Sequence, residues 1–151
     1  MVFGLAWNFL RDWATAEELA QDVFLHLHQK IEELESPEHV KFWLRRVISH
    51  RCIDESRRRK LRPRIGIHEV PEPASKQSTR DPMLAANLER LIGALPPRSR
   101  AIMLLRYQED LEPAEIAATL GLPVSTVKSQ LHRSLAVLRG KLERKSQEVH
   151  S

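Results

Sequence analysis

The stretch PAEIAATLGLPVSTVKSQLHRSLAVLRGKL, residues 113–142, decides the fold of the second half of this chain. Its pattern predicts a short helix, then a turn at Gly121, which takes a positive φ at little cost. Pro123 suits the first turn of a second helix. Apolar residues recur in that helix at helical spacing and form one stripe: Val127, Leu131, Leu135, Leu138 and Leu142. Two short helices joined in this way are typical of a helix-turn-helix.

The opposite side of the second helix predicts contact with duplex DNA. It carries short polar and cationic side chains, which can reach base edges and phosphates in a major groove. The candidate residues are Ser125, Thr126, Lys128, Ser129, His132 and Arg133. On this segment alone, an ordinary helical hairpin with a solvated polar face is the alternative.

Charge is distributed unevenly along the 151 residues, which carry a net charge of +4. Residues 1–36 hold two basic and seven acidic side chains, whereas residues 37–64 hold ten basic and three acidic ones. Residues 122–151 hold six basic and two acidic side chains. An acidic head followed by two separate basic blocks indicates two nucleic-acid contacts and a different, basic protein partner.

The first half of the chain predicts three helices. An apolar helix runs from Val2 to Arg11, and a second runs to about Leu34 from an N-cap at Thr15, with Glu18 completing a capping box. Ser36 caps the third, with Pro37 at its first position. The second helix is expected to bury four residues, with Phe24 beside them: Leu19, Val23, Leu27 and Ile31.

Two small all-α domains joined by an extended linker are the expected architecture. Five glycines, nine prolines and the lack of alternating apolar runs leave little room for a sheet. The stretch from about Leu61 to Pro82 holds four prolines and shows no buried face, which favours a linker. A helix starting at Asp81 and Pro82, and another after Pro96 and Pro97, precede the helix-turn-helix. The predicted boundaries are 1–62 for the first domain, 63–82 for the linker and 83–151 for the second domain.

The segment FWLRRVISHRCIDESRRRK, residues 42–60, combines aromatic and cationic side chains on one helix. A protein that binds single-stranded nucleic acid needs cations for phosphates and flat surfaces on which unstacked bases rest. The alternative is that Phe42 and Trp43 anchor the core and that the run from Arg57 to Lys60 is a solvated helix end.

Other chemistries find little support. Cys52 has no cysteine partner and is interpreted as a small residue at the edge of a core. The seven histidines lack zinc-ligand spacing, so no metal or cofactor site is expected. Ser49, His50 and Asp54 share one helix without an oxyanion architecture, and no catalytic residue is assigned. No apolar run approaches the roughly 18 residues needed to span a bilayer, and the expected location is the cytoplasm.

Three segments together resemble bacterial RNA polymerase sigma factors of the extracytoplasmic-function (ECF) group. AEELAQDVFLHLHQKI, residues 16–31, resembles region 2.2, which docks on the polymerase clamp. Residues 42–60 resemble regions 2.3 and 2.4, which melt and read the −10 element as single-stranded DNA. Residues 95–142 resemble region 4, which reads the −35 element as duplex. Standing alone, residues 16–31 would be a routine amphipathic helix.

The resemblance assigns roles to particular side chains. Glu18, Gln21 and Asp22 fall where the family contacts the polymerase. The −10 element is assigned to five residues: Trp43, Arg46, His50, Arg57 and Arg58. The six DNA-contact candidates named above for the second helix of the helix-turn-helix fall on the face that enters the −35 major groove. The implied partners are core RNA polymerase and promoter DNA, with an anti-sigma factor as a further partner and no membrane.

The chain departs from the family pattern in three places. The family usually has another helix and part of a second before the position of Met1, so either translation starts late or the true start codon lies upstream of Met1. His50 stands where asparagine is common, which bears on −10 base preference. Ser125 and Gln130 replace a frequent glycine and a frequent arginine, which bears on −35 affinity.

The expected function is promoter-specific transcription initiation as a dissociable, non-catalytic subunit of the polymerase. Two alternatives stay open on the sequence. One is a stand-alone helix-turn-helix regulator, which the second basic helix and the acidic segment disfavour. The other is an N-terminally truncated, inactive sigma-like protein.

Overall fold

The computed structural model of the chain describes residues 1–61 and 82–150, and every regular element in these two ranges is helical. The α-helices, with a short 3-10 turn at Ile31–Glu33, are α1 Val2–Leu10, α2 Trp13–Lys30, α3 Pro37–Leu61, α4 Pro82–Gly93, α5 Pro97–Tyr107, α6 Pro113–Leu120 and α7 Val124–His150. The all-α prediction is confirmed. Apart from Pro82, the predicted linker 63–82 lies outside the described residues. Of the helices described, none is both long and apolar enough to cross a membrane.

The first compact unit is a three-helix arrangement in which α1, α2 and α3 each contact the other two. Each helix turns one apolar stripe inward, and burial of each large apolar side chain contributes about 1.5–3 kcal/mol. The buried side chains include Val2, Leu5, Phe9, Leu19, Val23, Leu44, Ile48 and Cys52. Cys52 is a core residue, as its apolar neighbours predict.

The start of α2 differs from the prediction. Asp12, and not Thr15, is the N-cap, with extended backbone at φ −133°. Its carboxylate accepts hydrogen bonds from the Thr15 backbone N–H at 3.4 Å and from the Thr15 hydroxyl at 2.8 Å. Asp12 therefore accepts from a backbone N–H in the first turn of α2, which has no carbonyl partner within the helix, as an N-cap residue does. The prediction of a capping box at Thr15 is therefore wrong.

Burial at the end of α2 also differs from the prediction. The α-helix ends at Lys30, and Ile31 and Phe24, expected at the core, are 47% and 50% exposed. Phe42 on α3 is 36% exposed, so it does not anchor the core. No residue from Phe24 to Lys30 is buried and only Leu27 is partly covered, so the core of the first unit does not reach the last turns of α2. The prediction for Ser36 is confirmed, since its hydroxyl accepts a hydrogen bond from the His39 N–H at 3.1 Å.

The second compact unit contains α4, α5, α6 up to Ala118, and α7, with α7 packed on α4 and α5. Its core includes Leu91, Leu95, Ile102, Leu105, Ile116, Val127, Leu131 and Leu138. The predicted stripe on α7 is buried at these last three positions and only partly covered at Leu135 and Leu142. Arg106 fixes the approach to α6, because its guanidinium donates to the Leu111 carbonyl at 3.2 Å.

The turn between α6 and α7 has the predicted geometry. Gly121 has φ +68°, and the Leu122 N–H closes the end of α6 on the Ala117 carbonyl at 3.0 Å. Helix α7 begins at Val124, directly after Pro123. The carbonyl of Pro123 accepts a hydrogen bond from the Val127 N–H at 3.2 Å. The predicted helix-turn-helix is therefore present, with its second helix starting one residue later than Pro123.

Candidate nucleic-acid interfaces

One side of α3 forms the first candidate interface. Trp43, Arg46, His50 and Arg57 are spaced by three, four and seven residues, which places them on one side of a helix. This side lies opposite Leu44, Ile48 and Cys52, which are buried. Arg46, His50 and Arg57 are exposed and Trp43 is partly exposed. We call these four residues the α3 basic surface; it presents an indole ring and two guanidinium groups to solvent.

Two further cations at the end of α3 are engaged within the protein. Arg58, assigned to the −10 element by sequence, donates to the Glu55 carboxylate at 2.6 Å while its side chain stays 64% exposed. Arg59 points towards α2, where its guanidinium donates to the Asp12 carboxylate at 2.7 Å and to the Thr15 hydroxyl at 2.6 Å. Arg59 thus ties the end of α3 to the N-cap of α2.

The environment of Asp12 favours its charged form. Partial burial raises the pKa of Asp12, but hydrogen bonds from Thr15 and Arg59, together with the charge of Arg59, outweigh the burial. The pKa of this carboxyl therefore lies below its usual value.

The outer side of α2 is acidic and partly apolar. Glu18 and Gln21 are exposed and Asp22 is partly exposed, and all three were assigned to polymerase contact by sequence. Leu25, which sequence reasoning missed, lies on the same side because it is three and four residues beyond Asp22 and Gln21. Its side chain is 66% exposed. We call Glu18, Gln21, Asp22 and Leu25 the α2 outer face.

Arg51 links α2 to α3, and sequence reasoning missed this residue too. One of its guanidinium nitrogens lies 2.8 Å from Nδ1 of His26, and the other lies 3.7 Å from the Asp22 carboxylate. The side chains of Arg51 and Asp22 are 34% and 48% exposed. The assigned residue Asp22 is therefore already in contact with a cation of the neighbouring helix.

The second candidate interface lies on the first part of α7. Ser125, Lys128, Ser129, His132 and Arg133 are exposed, and Thr126 is partly exposed. They lie away from the buried side of α7, so the structure places the six residues on the solvent side of the second helix of the helix-turn-helix. We call these six residues the α7 polar surface.

Arg133 lies at the edge of the α7 polar surface. Its Nε donates to the Ser129 carbonyl one turn earlier at 3.4 Å, which is the long end of hydrogen-bond distances. The same side chain lines an open groove of about 380 Å³, together with Lys141 of α7 and Leu95 and Pro96 of the α4–α5 connection. Sequence reasoning did not identify this groove.

Two family models match separate parts of the chain. Residues 1–62 match the family described as Sigma-70 region 2, and residues 85–138 match the family described as Sigma-70, region 4. The chain is 32% identical over 157 residues to the ECF RNA polymerase sigma factor SigE of Mycolicibacterium smegmatis, covering 98% of this chain and 60% of the relative. It is 32% identical to the RNA polymerase sigma-E factor of Streptomyces coelicolor, covering 87% of this chain and 73% of the relative.

These similarities define the class of protein: the chain belongs to the ECF group of RNA polymerase sigma factors. Members of this family are not enzymes. The chain spans less than two thirds of the length of the SigE relative and 37% of the probable sigma factor RfaY of Xanthomonas campestris, to which it is 31% identical.

A solved structure shares the fold. The sigma factor RpoE from Bartonella quintana, crystallised with the anti-sigma factor NepR, superposes with a TM-score of 0.75 at 19% identity. The match covers 94% of this chain and 89% of RpoE. The predicted helical fold with sigma regions 2 and 4 is confirmed.

Proposed function

We propose that this chain is a promoter-specific transcription initiation factor, which associates with core RNA polymerase and recognises −10 and −35 promoter elements. The observation that carries the proposal is the pair of surfaces on the two units. The α3 basic surface lies in the part that matches Sigma-70 region 2, and the α7 polar surface lies in the part that matches region 4. Neither surface needs to change a covalent bond, so the role is binding and not catalysis.

The α3 basic surface, with Arg58 at its edge, suits the −10 element in single-stranded form. The partly exposed ring of Trp43 offers a face on which an unstacked base can rest, worth about 1–3 kcal/mol per base. Arg46 lies four residues before His50 and Arg57 lies seven residues after it. These two exposed cations are therefore spread along the helix and can follow the phosphates of one strand.

The α7 polar surface suits the −35 element as duplex. The second helix of a helix-turn-helix enters the major groove with its first turns, and these carry the six residues of the α7 polar surface. Lys128 and Arg133 supply charge for guanine edges and phosphates, and the serine hydroxyls pair with either donors or acceptors.

The α2 outer face suits the docking of core polymerase. It combines the charges of Glu18 and Asp22 with the exposed side chain of Leu25, and a mixture of one apolar anchor and polar surroundings is common at protein interfaces. The partner surface is expected to be cationic with a small apolar pocket. The site of action is then the cytoplasm, where the polymerase and promoter DNA are found.

An anti-sigma factor is a further proposed partner. The support comes from RpoE of Bartonella quintana, a protein of the same fold that was crystallised in complex with the anti-sigma factor NepR.

A transcription assay tests the proposal. The full chain is added to core polymerase with a supercoiled library of promoter-sized random inserts, and the transcripts are sequenced. Enrichment of two short elements at fixed spacing is the expected result, and a control with core polymerase alone should show none. Sequence-specific DNA binding by the chain without any initiation would contradict the proposal and favour a stand-alone helix-turn-helix regulator.

A further inference from the structure

Arg51 lies between the two functional surfaces of the first unit. It follows His50 of the α3 basic surface directly and precedes Arg58 by seven residues, or two turns, so it borders that surface on the side next to α2. In the free chain, however, its guanidinium is turned to α2, towards His26 at 2.8 Å and Asp22 at 3.7 Å.

Asp22 belongs to the α2 outer face, so the partners of Arg51 overlap with the proposed polymerase contact. If Asp22 pairs with a cation of the polymerase, its attraction to Arg51 becomes weaker, because a carboxylate shared between two cations is held less strongly by each. The side chain of Arg51 is 34% exposed, so the first unit does not enclose it and a rotation about its side-chain bonds can carry the guanidinium to solvent.

We propose that Arg51 contacts the DNA backbone, and that Asp22 and His26 hold its guanidinium against α2 until core polymerase docks there. Docking engages Asp22, weakens the hold on Arg51, and frees its guanidinium for a phosphate of the strand lying on the α3 basic surface. This inference rests on the proposed function and adds a coupling: polymerase binding raises the affinity of α3 for single-stranded DNA through one side chain.

The coupling is modest in size, because exposed ion pairs of this kind change an equilibrium constant by a small factor. Releasing Arg51 should strengthen binding of single-stranded DNA about two- to fivefold at an ionic strength of about 0.1 M. A coupling of this size, added to those from other contacts, biases the order of assembly towards polymerase first and DNA second.

A mutant cycle on the full chain measures the coupling. The probe is a fluorescein-labelled single strand of about 20 nucleotides and mixed sequence, and the readout is anisotropy. The double variant Asp22→Asn, His26→Ala should bind about two- to fivefold more tightly than the parent. In the Arg51→Gln background the same pair of changes should give no gain. Glu17→Gln, an equal loss of charge on the exposed side of α2, is the matched control and should leave affinity unchanged.

The outcomes separate this inference from the proposed function. A gain that persists in the Arg51→Gln background reports a general loss of negative charge and overturns the role of Arg51. No gain in either background overturns it as well, provided that circular dichroism shows folded variants. Asp22→Ser and Arg51→Ala, which remove the same charges, replace any variant that does not fold. If the parent neither binds the strand nor initiates with core polymerase, the proposed function fails and this inference fails with it. Initiation by the parent with a failed cycle refutes only the inference.

Discussion

The guanidinium of Arg59, two residues before the end of α3, lies 2.7 Å from the carboxylate of Asp12, which caps α2. The same guanidinium donates to the Thr15 hydroxyl and lies 3.5 Å from the Glu55 carboxylate. A single arginine therefore joins the end of one helix to the start of another, and gives Asp12 a second task besides capping. In a run of four cations from Arg57 to Lys60, neighbouring side chains thus have different roles.

Replacement of Arg59 should lower the stability of the first unit, whereas replacement of Arg57 should weaken DNA binding. Arg59→Gln removes the link between α3 and Asp12 and should lower the free energy of unfolding of the first unit by about 1 kcal/mol. Arg57→Gln, on the exposed α3 basic surface, should change that free energy by less than about 0.5 kcal/mol but weaken single-stranded DNA binding. Urea unfolding followed by tryptophan fluorescence measures the first unit selectively, because all three tryptophans lie in residues 1–61. Equal destabilisation by the two changes would refute the distinction.

The contact between Asp12 and Arg59 should make the first unit acid-sensitive. The pKa of Asp12 is lower in the folded state than in the unfolded chain, so the charged carboxylate stabilises the fold above the unfolded value of about 4. That contribution is lost as the pH falls through the folded pKa. Because Asp12 is 42% exposed and screened by solvent, the loss should be below about 1 kcal/mol.

Asp12→Asn isolates this charge effect, since asparagine also caps helices well. The parent should be more stable than Asp12→Asn at pH 7, and the difference should shrink below about pH 4. Unfolding curves at several pH values measure this difference. A gap that stays constant with pH would show that the carboxylate charge contributes nothing.

Local signals were readable from the sequence, whereas contacts between helices were not. Gly121 and Ser36 could be placed because a positive φ and an N-cap depend on residues within one turn. The capping box at Thr15 was also a local signal, but Asp12 was a competing N-cap, and the sequence pattern did not show which of the two residues caps α2. Arg59 is 47 residues from Asp12, and Arg51 is 25 residues from His26. Such pairings depend on how α2 packs on α3, which no spacing in the sequence specifies.

The turn of the helix-turn-helix should require Gly121 because its backbone adopts a positive φ, and not because a larger side chain would clash there. A Cβ at Gly121 would meet nothing within 4 Å, yet its φ of +68° is unfavourable for other residues. Gly121→Ala should therefore destabilise the turn between α6 and α7 by about 1 kcal/mol. Gly93→Ala is the matched control: a Cβ there also meets nothing within 4 Å, and no positive φ is involved. This change should be neutral or stabilising. Thermal unfolding by far-ultraviolet circular dichroism compares them, and equal effects would show that φ at Gly121 is not limiting.

Docking on core polymerase should depend on the apolar centre of the α2 outer face. Leu25 is 66% exposed, so Leu25→Asp should leave the stability of the chain within about 0.5 kcal/mol of the parent. Loss of an anchor at the middle of an interface costs about 2 kcal/mol or more by the usual scale, or roughly a thirtyfold weaker association. Ile31→Asp, another exposed apolar residue outside the α2 outer face, is the control. Competition for core polymerase against the labelled parent chain measures both, and equal competition by Leu25→Asp and the parent would place the interface elsewhere.

Arg133 and Lys141 line the same groove between α7 and the α4–α5 connection. Only Arg133 is expected to determine which base pairs of the −35 element are preferred. If Arg133 contacts a base edge, Arg133→Ala should cost about 1–3 kcal/mol and relax the preference at one base pair. Lys141 lies two turns beyond Arg133, outside the α7 polar surface, and shares only the groove. Lys141→Ala should leave the preference profile intact and at most lower affinity evenly across sequences. Binding of the full chain to a randomised duplex library, followed by sequencing, gives both profiles. If both changes left the profile unaltered, Arg133 would act through the groove or the phosphates, and base reading would pass to Lys128, Ser129 and His132.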